Sequence, residues 1–370
     1  MFDFGVSNIR RLKNSESFNI KKITLLLGRN SSGKSTFLRS FPLMKQSINT
    51  RTSAPILWFG DFVDFGDFEN AVADHAVNTP ITFKFGVDHM PVEQVRALRE
   101  FTYGITPFFV GRDIMSHAVE NLKYYVDVVK FKNKTRISKI TISIGLNFTY
   151  EINISEAMRV DTFFVNGVEV EDYKEYFDFI ISPDSIFPII NISNRKKNDL
   201  LENSLQFSNR LEVSPLYPIF QKALKLLSEN INSRISDRNK KIYTSFLLTM
   251  MPYSMENIKK SKKVFQTKAW EKFICYILST KGQKTFQQFE KYNAIFSINI
   301  AINSIRSYFS PIMSSVLYIG PARAKSDRYY RYQYLKLTLM GLISQCFLIH
   351  YLSQILRNFL IGCRVFSVMV

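Results

Sequence analysis

Cysteine and histidine are scarce in this chain, and their placement excludes two kinds of architecture. Cys275, Cys346 and Cys363 stand far from any C-x-x-C spacing, and His75, His89, His117 and His350 share no metal-ligand spacing with them. Neither a zinc centre nor a disulfide framework is indicated. Acidic residues are also few: 31 Asp and Glu stand against 49 Lys and Arg, and no acid follows Asp327. The opening Met1-Phe2-Asp3-Phe4-Gly5 carries an early acid and no basic segment leading into an apolar run. A secretory signal is therefore not read there, and a cytoplasmic, reducing location is expected.

What is present describes a folded protein. At 370 residues the chain can bury a large core and is expected to form two or three packed units. A hydrophobic share of 46% with 22% charged residues argues against wholesale disorder. The formal charge of +18 concentrates polyanions around the molecule, which makes nucleic acid the first partner to consider. The basic runs Lys123 to Lys139, Arg195-Lys196-Lys197 and Lys259 to Lys263 read either as a groove for duplex backbone or as solvated faces. No Arg/Asn readout helix and no aromatic stacking platform stands out, so any DNA binding is expected to be sequence-independent.

Along the chain, Phe18 to Leu27 alternates and then turns continuously apolar, which predicts a strand entering a two-sided buried sheet. Gly28 interrupts it, and Ser35 to Leu43 reads as a helix start with Phe37 and Leu38 turned inward. From Ile56 to Val170 the pattern is short and β-rich, with turn signals at Gly145 and at Asn166-Gly167, a pair that favours a two-residue hairpin. Helical periodicity follows between Ile190 and Tyr308, as in Tyr217 to Ile231 and Thr267 to Leu278. Val316-Leu317-Tyr318-Ile319-Gly320-Pro321 then reads as a return strand, followed by Arg323, Lys325, Arg328 and Arg331. Phe59, Phe62, Phe65 and Phe68 are expected in the core, and Asp61, Asp64 and Asp67 among them in surface turns rather than around a metal.

The most specific signal is Gly28-Arg29-Asn30-Ser31-Ser32-Gly33-Lys34-Ser35, which fits G-x-x-x-x-G-K-S/T between a predicted strand and a predicted helix. Glycines let backbone N–H groups curl around phosphate oxygens, and the following helix aims its positive end at the same anion. Lys34 is expected on the β- and γ-phosphates and Ser35 on Mg²⁺, with Thr36 at the α-phosphate or in the first helical turn. ATP with Mg²⁺ is the expected ligand.

Val6-Ser7-Asn8-Ile9-Arg10 and the stretch from Ile23 to Arg39 resemble the first lobe of an ABC-type P-loop ATPase head of the SMC and RecF kind. The nearest flavour is that of phage-defence ATPases of the OLD-nuclease sort. Leu57 to Gly66 and Tyr318 to Ala324 are similar to segments of the same proteins. The resemblance implies an α/β head with an antiparallel β subdomain and a helical insertion. Its units are an N-terminal lobe over 1–185, the insertion over 186–310 and a return strand over 311–334. It also implies ATP hydrolysis, homodimerisation around ATP, a nuclease or other effector as partner, a role in DNA maintenance or antiviral defence, and an approach of Arg10 or Arg11 to the nucleotide. ATPases of this kind also need an apolar run ending in Asp-Glu and a signature segment, and neither is found in this chain.

Residues 335–370 are apolar and unlike what precedes them. Leu339 to Leu356 approaches the ~20 apolar residues of a membrane span, but Gln345, His350 and Gln354 interrupt it, so a membrane is not favoured. A buried helix and an out-of-frame translation starting near Tyr334 are the other readings. The second of these would also account for the missing second lobe.

Overall fold

The computed structural model describes residues 1–50, 52–90, 119–132, 134–195 and 215–319. The basic cluster from Arg323 to Arg331, the tail after Tyr334, His117, Lys196, Lys197, Cys346 and Cys363 lie outside them.

Alternating apolar residues build the larger layer. Strands β1 (Phe2–Ser7), β2 (Phe18–Ile20), β3 (Ile81–Met90), β4 (Val119–Phe131), β5 (Lys134–Ile144), β6 (Phe148–Ile154), β7 (Val160–Val165) and β8 (Val168–Glu169) form one sheet in the order β2-β1-β3-β4-β5-β6-β7-β8. Every pairing in it is antiparallel. With a side-chain period of two, Phe83, Phe85, Tyr124, Val126, Ile140, Ile142, Tyr150 and Ile152 fall on one face and are buried. The β7–β8 turn is Asn166-Gly167, both at positive φ (50° and 78°), as a type I′ hairpin requires. A second, two-stranded sheet pairs β9 (Phe177–Ile181) with β10 (Ile190–Asn194). The β-rich part thus runs past residue 185, where the composition begins to change.

Helices cover the buried face. They are α1 (Lys34–Asn49), the short α2 (Phe68–Ala71), α3 (Tyr217–Asn230), α4 (Asp237–Thr249), α5 (Met255–Lys260), α6 (Lys268–Ile277) and α7 (Gln283–Ser314). Ser236, Ser254 and Thr267 cap α4, α5 and α6 by accepting N–H bonds from the first turn. The 32-residue α7 ties the helical part to the sheet. Near its start, buried Asn293 donates to the carbonyls of Leu247 and Met250, both at 2.8 Å, and so satisfies orphan acceptors at the end of α4. One turn on, Ser297 Oγ lies 2.6 Å from Tyr150 OH of β6. Further along, Phe309 stacks on Phe187 and meets Phe85 of β3 and Phe2 of β1.

Two expectations fail here. Ile23 to Leu27 is not a strand: Ile23, Leu25 and Leu27 are 79%, 70% and 89% exposed, and only Leu26 packs on the core. Val316 to Ile319 is likewise in no strand, and Gly320 and Pro321 of the expected return strand lie outside the described residues. The cause is shared, since an apolar alternation becomes a strand only when a neighbour takes up its N–H and C=O groups, and no described strand lies beside either stretch. The architecture is therefore mixed α/β, with an antiparallel sheet and helices packed on it. Among the described residues, no helix is long and apolar enough to cross a membrane.

The β9–β10 ladder carries a salt-bridge network with a readable pH signature. Asp178 of β9, its side chain nearly buried, accepts from Arg195 Nε at 2.9 Å and from Arg159 Nη1 at 2.8 Å. The Arg195 hydrogen bond foremost holds its carboxyl below the ordinary value of 3.8, against the opposing effect of burial. A depressed native pKa stabilises the fold fully above that ordinary value and progressively less as pH falls through it. Wild type should therefore lose more stability than Asp178→Asn between neutral pH and the acid side of that window, measured by urea denaturation at a series of pH values.

Candidate phosphate-binding site

The Gly28 to Thr36 segment is positioned by the end of β1. Beyond Ser7 the chain makes a tight turn in which Ile9 and Leu12 exchange N–H···O bonds of 3.1 and 2.9 Å. Leu12 is thereby pressed against Gly33, where a Cβ would lie 2.5 Å from Leu12 Cδ2. Gly33 also adopts φ 96°, a left-handed conformation open to glycine at little cost. The backbone conformation selects glycine at the point where α1 begins, and a Cβ there would also displace the end of the Leu12 side chain. Gly33→Ala should cost about 1–3 kcal/mol in stability, read from the urea midpoint, with the loop distorted.

Helix α1 opens with no side-chain cap and no acid in its first turn. Its first internal bond runs from Phe37 N to Gly33 O at 2.9 Å. The amides of Lys34, Ser35 and Thr36 precede that bond and have no helical partner, and the helix dipole adds partial positive charge around them. Ser32 N closes a turn on Arg29 O at 3.3 Å, with Ser31 at φ 61°. Lys34 curls back over the loop, its Nζ donating to Gly28 O at 2.8 Å and Arg29 O at 2.7 Å. An ammonium has three donors, so one remains for an anion oxygen in the mouth of the loop. Gly28, Arg29, Asn30, Ser31, Ser32 and Ser35 are all exposed, while Thr36 is half-buried and its carbonyl accepts from Ser40 Oγ. The segment thus brings together a cation, free amides and the Ser35 hydroxyl. These are the donors a phosphate chain needs, with one oxygen ligand suited to Mg²⁺.

Arg10 does not reach toward this loop. Its guanidinium lies 4.5 Å from the centroid of Phe65, and its Nη2 donates to Asp64 O at 3.3 Å. Arg39 of α1 uses the same acceptor at 2.7 Å and the same ring at 5.1 Å. Burial first, and then Arg39, lowers the pKa of Arg10. Arg11 is exposed. Sequence reasoning missed Leu12 and Arg39, whose roles depend on what α1 packs against rather than on any motif.

No protein-family model matches the chain, and no curated protein or solved structure was found to match it. The site must be judged on its own geometry.

Two of the aspartates of the 57–68 segment, Asp64 and Asp67, serve a turn and a cap. Asp64 Oδ1 accepts from Gly66 N, and Asp67 caps α2 by accepting from Asn70 N. Among the described residues no group of three His, Cys, Asp or Glu side chains could hold a metal ion. Phe65 and Phe68 are buried, but Phe59 and Phe62 are exposed. Among the described residues, part of the first basic run and Arg195 of the second are tied down within the fold. Lys130 pairs with Glu69, Lys139 with Glu151 at 2.8 Å, Arg136 donates to the carbonyls of Ile154 and Ser155, and Arg195 holds Asp178.

Proposed function

We propose that the chain is a nucleotide-binding head that takes ATP with Mg²⁺ at Gly28 to Thr36. The reading rests on one observation above the rest. Lys34 folds back across a loop whose following helix starts at a glycine, uncapped and free of acids, so that charge and open amides converge on one point. In this reading the loop amides and Lys34 hold the β- and γ-phosphates. Arg29, Asn30, Ser31 and Ser32 shape the turn, Ser35 ligates Mg²⁺, and Thr36 serves the α-phosphate side. The bound ion supplies charge neutralisation at the phosphates. ATP-dependent pairing of two heads, hydrolysis, and coupling to a nuclease or other effector in antiviral defence or DNA maintenance complete the reading. They come from the resemblance of Val6 to Arg10, Ile23 to Arg39, Leu57 to Gly66 and Tyr318 to Ala324 to SMC- and RecF-type ATPases.

A second reading has its own support. The chain contains no apolar run ending in Asp-Glu, the carboxylates that would hold Mg²⁺ from the far side and activate water. A module that binds ATP without splitting it fits that composition. Fluorescent-ATP titration run beside a phosphate-release assay separates the two. Binding that depends on Lys34 together with phosphate release supports the hydrolysing head, and binding without release supports the module. Equal binding by wild type and Lys34→Ala would remove both.

A further inference from the structure

The helical part of the molecule carries a disproportionate share of its charge. Residues 215–319 hold sixteen of the lysines and arginines but only five acids, and so eleven of the eighteen net positive charges. The excess is sharpest from α5 to the start of α7, where eight lysines face two glutamates, Glu256 and Glu271. Glu256 is taken up by Lys260 at 2.7 Å. Lys259, Lys263, Lys268, Lys272, Lys281 and Lys284 are exposed and make no ion pair among the described residues.

Their backbone is rigidly held. After α5 the chain makes a 3₁₀ turn over Ser261–Lys263, and buried Trp270 of α6 donates its indole N–H to Ser261 O at 2.9 Å. Phe265 meets Tyr243, Phe246 and Trp270 at centroid distances of 4.7, 5.3 and 4.9 Å. Tyr243 OH lies 2.9 Å from Thr267 Oγ1 at the cap of α6. On α6 itself Trp270, Phe273, Ile274 and Ile277 are buried, so Lys268, Lys272 and Cys275, at i, i+4 and i+7, form the opposite, exposed stripe. A second 3₁₀ turn at Thr280–Gly282 then presents Lys281, with Lys284 in the first turn of α7. The lysines therefore ride on a fixed aromatic knot.

From this we propose that the ridge over α5, α6 and the start of α7 docks the phosphate backbone of duplex DNA. The chemistry selects the duplex over other polyanions. Lysines are point charges on flexible stems, suited to phosphates rather than to base edges. No aromatic side chain of the unit is among the exposed large hydrophobics, so bases of a single strand have nothing to stack on. Met255 is the one exposed large apolar residue near the ridge, too little to insert into a bilayer interface. The ridge is distinct from the Gly28 to Thr36 loop and does not depend on nucleotide binding there.

The test is fluorescence anisotropy with a labelled mixed-sequence duplex of about 30 base pairs, titrated at salt concentrations from about 50 to 200 mM. Wild type should bind with an affinity that falls steeply with salt. Replacing Lys263, Lys268, Lys272 and Lys281 with Gln should weaken binding by more than roughly 10-fold and flatten the log–log salt slope by about 3.6, at ~0.9 per lost phosphate contact. The same four positions as Arg should restore it. Lys123→Gln with Lys139→Gln on the sheet, and Lys34→Ala without nucleotide, should leave it unchanged. Circular dichroism of each variant should match wild type. An unaltered slope in the Gln variant, salt-independent binding, equal affinity for single strands, or sedimentation with phosphatidylserine vesicles in place of duplex binding would each overturn the assignment.

Discussion

Lys34→Ala should weaken ATP binding by between about 10-fold and about 150-fold while leaving the urea midpoint within about 0.5 kcal/mol of wild type. The two halves of that expectation have separate causes. Lys34 is half-buried, but its folded-state partners are two loop carbonyls at the surface, Gly28 O and Arg29 O, which water can satisfy once the side chain is gone. Little folding energy is at stake. The proposed ligand is different, because a phosphate oxygen would lose a charge-assisted hydrogen bond worth about 1.5–3 kcal/mol. Lys34→Arg should not rescue fully. The wider guanidinium must find room over a loop whose curl is set by Leu12 against Gly33. Isothermal titration with ATP and Mg²⁺ measures the affinities. An Ala variant that binds as wild type does would place the nucleotide elsewhere.

The second large effect concerns the fold. Phe309→Ala should destabilise the protein by about 3–5 kcal/mol, a sizeable part of the 5–15 kcal/mol typical of a whole domain. Phe309 is fully buried where α7 crosses the sheet. Its ring lies 6.0 Å from Phe187 in a stacked arrangement, 5.3 Å from Phe85, 6.3 Å from Phe2 and 5.0 Å from Tyr308. Removing it opens a cavity bounded by Phe2 of β1, Phe85 of β3 and Phe187, and the two strands cannot move in without leaving the sheet's hydrogen bonds. Phe309→Leu keeps most of the volume and should cost less than half as much. Equilibrium urea denaturation reads both, and equal midpoints for wild type and Phe309→Ala would show that this junction does not hold α7 to the sheet.

Elements whose stability is local were legible in the residues. The Asn166-Gly167 hairpin, the helices beginning at Tyr217 and after Thr267, and the glycine-led start of α1 each rest on a few neighbouring residues, on turn chemistry or on a cap. Ile23 to Leu27 and Val316 to Ile319 carry equally strong apolar patterns and are not strands. A strand depends on a neighbour that its own sequence does not contain. The basic runs show the same limit from the other side. Lys130 and Lys139 read like Lys259 and Lys263, yet the fold sets Glu69 of α2 and Glu151 of β6 against the first pair and no acid against the second among the described residues.

By itself, then, the amino-acid order determined the spacing of Gly28, Gly33, Lys34 and Ser35, the alternation that makes the antiparallel strands, and the surplus of positive charge. Each is set by near neighbours or by a sum over composition. Only the tertiary structure decided that Leu12 backs Gly33 and that Arg10 and Arg39 share Phe65. It alone also joined α7 to the sheet through Phe309 and left six lysines of one ridge exposed without an ion pair among the described residues. These depend on residues brought together from distant parts of the chain, where packing and charge pairing act on distance in space and not along the sequence.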